Sequence, residues 1–152
     1  MNDNDFDTLL KDVVSKCVRL KDKHVEEKNL VIDWICVFAQ SDSQYKNLVE
    51  HASQWGHVVD NTHSGPVFRF DKPLITIAGI PNVLKIRIPD PSKPELGDVD
   101  FSTDYETFKN KYLDGKHFTL ITREKFEMIE LRENKSEVIC YFSSIPPSKL
   151  VN

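Results

Sequence analysis

Apolar residues near the start of the chain fall at Phe6, Leu9, Leu10, Val13, Val14, Cys17 and Val18. This three-and-four spacing predicts a helix beginning at residue 4. The charged stretch after Leu20 extends it to residue 28 with a solvated face. Residues 30–39 form a short apolar run rich in β-branched and aromatic side chains, the mark of a well-buried strand. Ser41, Asp42 and Ser43 then offer caps for a second helix, which carries Tyr45, Leu48, Val49, Ala52 and Trp55 on one face. Gly56 is placed to stop it in a left-handed turn. Short β-like runs follow at 57–61, 66–70 and 74–78. Leu84, Ile86 and Ile88 alternate with Lys85 and Arg87, which makes a strand with one apolar and one charged face.

Pro89, Pro91 and Pro94 lack the amide donor that a sheet ladder needs, so residues 90–97 read as a linker. The pattern then restarts with an alternating strand from residue 98. Thr103 and Glu106 have the spacing of a capping box. Tyr105, Phe108 and Tyr112 mark a helix face, and Gly115 ends it. Strands are expected at 118–122, 126–131 and 138–142, with a turn at 133–136. Each half thus runs strand, helix, three strands, which is a repeated element order. The expectation is a single α+β domain over residues 1–152. It comprises an extra N-terminal helix (4–28), two β-α-β-β-β modules (30–89 and 98–143) and a tail (144–152).

Composition narrows the function classes. The formal charge of −4 argues against a dedicated nucleic-acid binder, which needs a basic face for phosphates. No run approaches the roughly 18 consecutive apolar residues of a membrane span, and the acidic, polar start is unlike a secretory signal. A cytoplasmic location is expected. Cys17, Cys36 and Cys140 are odd in number, widely spaced and set among apolar neighbours. They read as small core side chains in a reducing compartment. His24, His51, His57 and His117 show no metal-ligand spacing, and His63 lies in a His-Ser-Gly-Pro turn. No nucleophile elbow, Walker loop or GxGxxG is present.

Paired modules of this kind resemble the vicinal oxygen chelate superfamily of glyoxalases, extradiol dioxygenases and bleomycin-resistance proteins. Asp33-Trp34-Ile35-Cys36-Val37 resembles the Asp-His-Ile strand of its YecM-like branch. Residues 65–70 with Pro73, leading to Lys85-Ile86-Arg87-Ile88-Pro89-Asp90-Pro91, resemble that branch's segment ending in Glu-Leu-Pro-x-Pro. Tyr141-Phe142-Ser143-Ser144 before Leu150-Val151 resembles its closing segment. The resemblance covers residues 30–151 and implies curved mixed sheets around a funnel. It also implies a divalent metal held by His, Gln or Glu from several strands. This sequence departs from that pattern: Trp34 stands at the first-strand histidine, Arg87 at the glutamate and Asp98 at the second-module histidine. Guanidinium offers a metal no lone pair, and indole is no practical ligand. The expectation is no metal and no cofactor.

Six residues are candidates for ligand binding: Trp34, Arg69, Arg87, Asp98, Asp100 and Glu130. Asp98 and Asp100 share a strand face and suit acid–base work or a hard cation. The plainer reading pairs them with Lys85 and Arg87 across neighbouring strands. Arg69 and Arg87 are shaped to grip a carboxylate or phosphate, or they face solvent. Glu127 and Glu130 should point to opposite faces, and Glu130 falls near the superfamily's last ligand. No catalytic residue is identified. The leading expectation is a small-molecule-binding protein for a polar or anionic ligand, with catalysis left open and a second copy of the chain admitted as partner. A metal-dependent lyase, isomerase or dioxygenase using Asp98, Asp100 and Glu130 is the alternative. A protein–protein adaptor is the third class.

Overall fold

The computed structural model describes residues 1–151. Helix α1 (Asp3–His24) starts at a capping box: Asn2 accepts from the Asp5 amide, and Asp5 accepts from the Asn2 amide. It stops four residues short of the expected end. Val25 turns extended and is buried, while the Lys21 ammonium donates to the carbonyls of Glu27 and Lys28. That contact folds the charged stretch back on the helix end instead of continuing it.

Strand β1 (Ile32–Phe38) leads to α2 (Asp42–Trp55), whose cap Ser41 accepts from the Gln44 amide at 3.1 Å. Then come β2 (Gly56–Thr62), β3 (Gly65–Phe70) and β4 (Val83–Arg87). The second module has β5 (Gly97–Phe101), α3 (Tyr105–Tyr112), β6 (Phe118–Thr122), β7 (Glu127–Leu131) and β8 (Val138–Ser143). A 3₁₀ turn at Pro147–Leu150 ends the fold.

All eight strands form one mixed sheet in the order β2-β3-β4-β1-β5-β8-β7-β6. Within each module the first strand lies parallel to the last, as β1 with β4 and β5 with β8. The modules join through antiparallel β1 and β5. The fold is therefore of the mixed α+β class, with the N-terminal helix outside the modules. No helix among the described residues is long and apolar enough to cross a membrane.

Three local expectations are corrected. Residues 74–78 are not a strand, since only a Thr76–Gly79 bridge forms there. Leu74 and Ala78 point inward and Ile75 and Ile77 outward, so the run alternates with no partner strand to complete a ladder. Gly56 is extended (φ −163°) and begins β2. Glycine is needed because a Cβ would stand 2.3 Å from the Arg69 carbonyl oxygen. The Thr103 cap does not form; Asp104 takes the N-cap position without a side-chain bond.

Alternation gives the sheet two faces. The back face carries Ile35, Val37, Leu84, Ile86, Val99, Phe101, Ile129 and Phe142 into one core with the apolar faces of the helices. Phe142 stacks on Phe108 at 4.2 Å. Cys17 on α1 and Cys140 on β8 interlock, the Cys140 thiol donating to the Cys17 carbonyl at 3.2 Å. All three thiols are free and buried. Trp55 closes the stripe of α2 edge-on to Phe6 at 5.6 Å, with the Lys72 ammonium 4.0 Å over its ring.

Trp55 is 4 % exposed and bridges α1, α2 and the β3–β4 loop. Truncation to alanine is expected to cost about 3–5 kcal/mol in urea denaturation. A loss below about 1 kcal/mol would show that α1 and α2 do not depend on this contact.

Candidate functional site

The front face bears a cleft of about 380 Å³. Its floor follows from strand register. Trp34 and Cys36 of β1 lie opposite Asp100 and Asp98 of β5. On the other side Cys36 adjoins Lys85, and Phe38 adjoins Arg87, on β4. Tyr141 of β8 sits beside Asp100. Arg123 and Phe126 from the β6–β7 turn, and Asp60 from β2, also line it. β2 and β6 are opposite edges of the sheet and would stand about 33 Å apart if eight strands lay flat. Their joint lining of one cleft requires the sheet to curl around it.

A β-bulge builds the end wall. The β1–β5 ladder skips one residue between Ile32 and Trp34. That extra residue, Asp33, is buried. Its carboxylate accepts from the Ser148 amide (2.9 Å), the Ser148 hydroxyl (2.6 Å) and the Asn82 amide side chain (2.7 Å). Arg69 donates to the Ser148 carbonyl at 3.1 Å. The tail is thereby pinned to the sheet, and Pro147, Leu150 and Val151 become part of the cleft lining.

Of the six candidates, Trp34, Arg87, Asp98 and Asp100 line this cleft together. Arg69 and Glu130 do not. Arg69 is engaged with the tail, and Glu130 lies opposite Tyr141 on β7, accepting from its hydroxyl at 3.2 Å. Glu127 faces the opposite way, accepting from Tyr105 and Lys109 of α3 at 2.7 Å each. The expected ion pairs across the floor do not form. β1 lies between β4 and β5, so the cations stand two strand spacings, about 10 Å, from the carboxylates. Lys85 instead donates to Ser64 at 2.6 Å. Arg87 lies 5.6 Å over the Phe38 ring, its nearest carboxylate is Asp90 at 3.9 Å, and its buried Nε has no partner.

Burial dominates the acids. It pushes Asp98 up to about 7 even though Lys85 and Arg87 pull down, with Glu130 and Glu95 adding repulsion. It pushes Asp100 up to about 8 against the hydrogen bond from Ser143, with Asp33 and Asp98 repelling further. Burial also raises the Cys36 thiol and the Tyr141 phenol. Near neutrality the floor thus offers the carboxyl hydroxyl of Asp100, an Asp98 divided between its two forms, and the basic side chains of Lys85, Arg87 and Arg123.

Asp33, Arg123 and Ser148 had not been singled out as site residues. A lone carboxylate inside an apolar strand was a signal for Asp33; Arg123 and Ser148 carry no local one. The acids of the cleft do not converge as metal ligands. Among the described residues, that convergence occurs only at His24, His117 and Glu133, outside the cleft.

No family model matches this chain, and no curated protein matches it. Among solved structures it is similar to a structural-genomics protein, Protein EC4020. The TM-score is 0.65, covering 93 % of this chain and 91 % of that one, at 11 % sequence identity. At that identity the likeness is one of fold and carries no activity with it.

Asp98 and Asp100 keep their protons to higher pH in the folded chain than at the ordinary carboxyl value of 3.8. The folded state therefore binds more protons than the unfolded state between about pH 4 and 8. The stability they contribute is fully present below that window and is lost as pH rises through it, by up to about 1.4 kcal/mol per pH unit for each group. Asp100→Asn is expected to flatten this decline and to be more stable than the wild type above about pH 8. Urea denaturation across that range measures it; an unchanged pH slope would refute the burial account.

Proposed function

We propose that this protein binds a small polar or anionic molecule in its front cleft, as a vicinal oxygen chelate protein of the YecM-like kind whose superfamily metal site has been lost. The observation that carries this reading is Arg87, a half-buried guanidinium on the cleft wall whose buried Nε has no partner and whose carboxylate contact, to Asp90, is long at 3.9 Å. A planar fork of donors recognises carboxylate or phosphate bidentately. Lys85 and Arg123 add positive charge, and the raised carboxyl of Asp100 supplies a hydroxyl donor at neutral pH. Trp34, Phe126 and Met128 give the ligand an apolar wall. A volume of about 380 Å³ suits a small metabolite.

The paired modules, the curled sheet and the substitutions at Trp34, Arg87 and Asp98 support the superfamily reading and its loss of the metal. The metal-dependent alternative needs Glu130 to join Asp98 and Asp100, and Glu130 is outside the cleft lining, accepting from the Tyr141 hydroxyl at 3.2 Å. Three free, buried thiols fit a reducing compartment and so a cytoplasmic location.

The test is thermal denaturation of wild type and Arg87→Leu with succinate, citrate or inorganic phosphate. The wild type should be stabilised in proportion to anion concentration. The variant without anion should lose less than about 1 kcal/mol, because the Asp90 contact is long and partly exposed. Its anion response should vanish. If no anion stabilises the wild type and the variant loses about 3–5 kcal/mol, Arg87 is a structural ion-pair partner and the reading fails.

A further inference from the structure

Outside the cleft, three side chains from distant parts of the chain meet at one point. His24 is the last residue of α1, His117 immediately precedes β6, and Glu133 follows β7 by two residues. Their ligand atoms all lie within 4.8 Å of one another, and all three side chains are half-buried. His24 Nε2 is 3.0 Å from Glu133 Oε2, and the imidazole rings lie 4.6 Å apart, tilted by 54°. The Arg132 amide donates to the His117 carbonyl at 3.1 Å, continuing the β6–β7 ladder and holding His117 beside the approach to Glu133.

We propose that His24, His117 and Glu133 form a binding site for a divalent transition-metal ion of the zinc type, which fastens the end of α1 to the β6–β7 hairpin. Two imidazoles and a carboxylate are a ligand set that zinc accepts, with a fourth position left for water. Zinc bonds of about 2.0–2.2 Å place tetrahedral ligands about 3.4 Å apart. A present spread of at most 4.8 Å closes by rotation of half-exposed side chains. The site also sits at the C-terminus of a 22-residue helix, where the backbone dipole favours positive charge.

The groups that oppose a cation there can give way. Lys23 holds the other oxygen of Glu133 at 3.4 Å, but its side chain is 64 % exposed and swings into water without stranding a buried charge. Lys16, Arg19 and Lys135 line the adjoining groove together with Glu137, and Lys16 is paired with Asp12 at 2.8 Å and with Glu137 at 3.6 Å. The clamp would reinforce a thin connection, since α1 rests mainly on β8 and β5 and reaches the β6–β7 hairpin through the contacts of Lys23 and His24 with Glu133 and of His24 with Phe118.

The resting histidine–glutamate hydrogen bond accounts for part of this geometry without a metal, and zinc titration separates the two. Chelator-treated protein is titrated calorimetrically with zinc chloride as wild type, His117→Ala, Glu133→Gln, and the cleft variant carrying Asp98→Asn with Asp100→Asn. The expected result is one zinc per chain and a thermal midpoint that rises with zinc. Affinity should fall by roughly tenfold or more in His117→Ala and in Glu133→Gln, since losing a ligand costs at least as much as losing an outer-shell partner. The cleft variant should bind as the wild type does. Melting without zinc checks that each variant folds, and Glu133→Gln keeps the test open if His117→Ala does not. Absence of binding, or binding undiminished in the folded ligand variants, would overturn the proposal. Binding lost only in the cleft variant would overturn it too, placing the metal in the cleft.

Discussion

β1 and β5 meet at the centre of the sheet as the seam between modules, and their antiparallel register sets Trp34 against Asp100 and Cys36 against Asp98. Because β4 lies beyond β1 and β8 beyond β5, the same seam keeps Lys85 and Arg87 away from the carboxylates. Both consequences are electrostatic. The acids are desolvated without a contacting cation, and their carboxyls hold protons to higher pH than an ordinary aspartate does. The guanidinium of Arg87 keeps only a long contact to Asp90, at 3.9 Å, and its buried Nε has no partner. Had β4 and β5 been adjacent, the same residues would have neutralised one another.

The second constraint is the bulge at Asp33. A regular strand would keep its side chains in strict alternation and send a residue at this position towards the helices. One unpaired residue lets the carboxylate reach the front, where it satisfies an amide, a hydroxyl and an asparagine side chain. Those bonds turn the tail from a loose end into an end wall. The cleft thus depends on two different devices: strand register for its floor, and a local break in register for its closure.

How far this was legible in the sequence depends on how local the signal is. The alternation of Leu84 and Ile86 with Lys85 and Arg87 was enough to assign inner and outer faces to β4, because period two needs no partner to be read. The same rule failed at 74–78, where Ile75 and Ile77 alternate outward from a loop that has nothing to pair with. Asp98 and Asp100 were legible as neighbours on one face. Their pairing with Lys85 and Arg87 was not decidable, because strand order across the seam is a property of the whole sheet. Nor could spacing find His24, His117 and Glu133, since motif rules see neighbours along the chain and these three meet only through folding.

The seating of α1 on β8 has a consequence for biosynthesis. β8 is made after the seven other strands of the sheet, yet it lies between β5 and β7 and supports α1. The Cys17 thiol finds its acceptor, the Ile139 carbonyl, 122 residues later. At roughly 5–20 residues per second, a ribosome leaves that seat empty for about 6–24 s. Phe6 can lean on Trp55 of α2 meanwhile, but Val13, Val14 and Cys17 wait. A nascent chain stalled before residue 138 therefore presents a bare helix stripe beside an unpaired strand, the kind of surface that chaperones hold until β8 emerges.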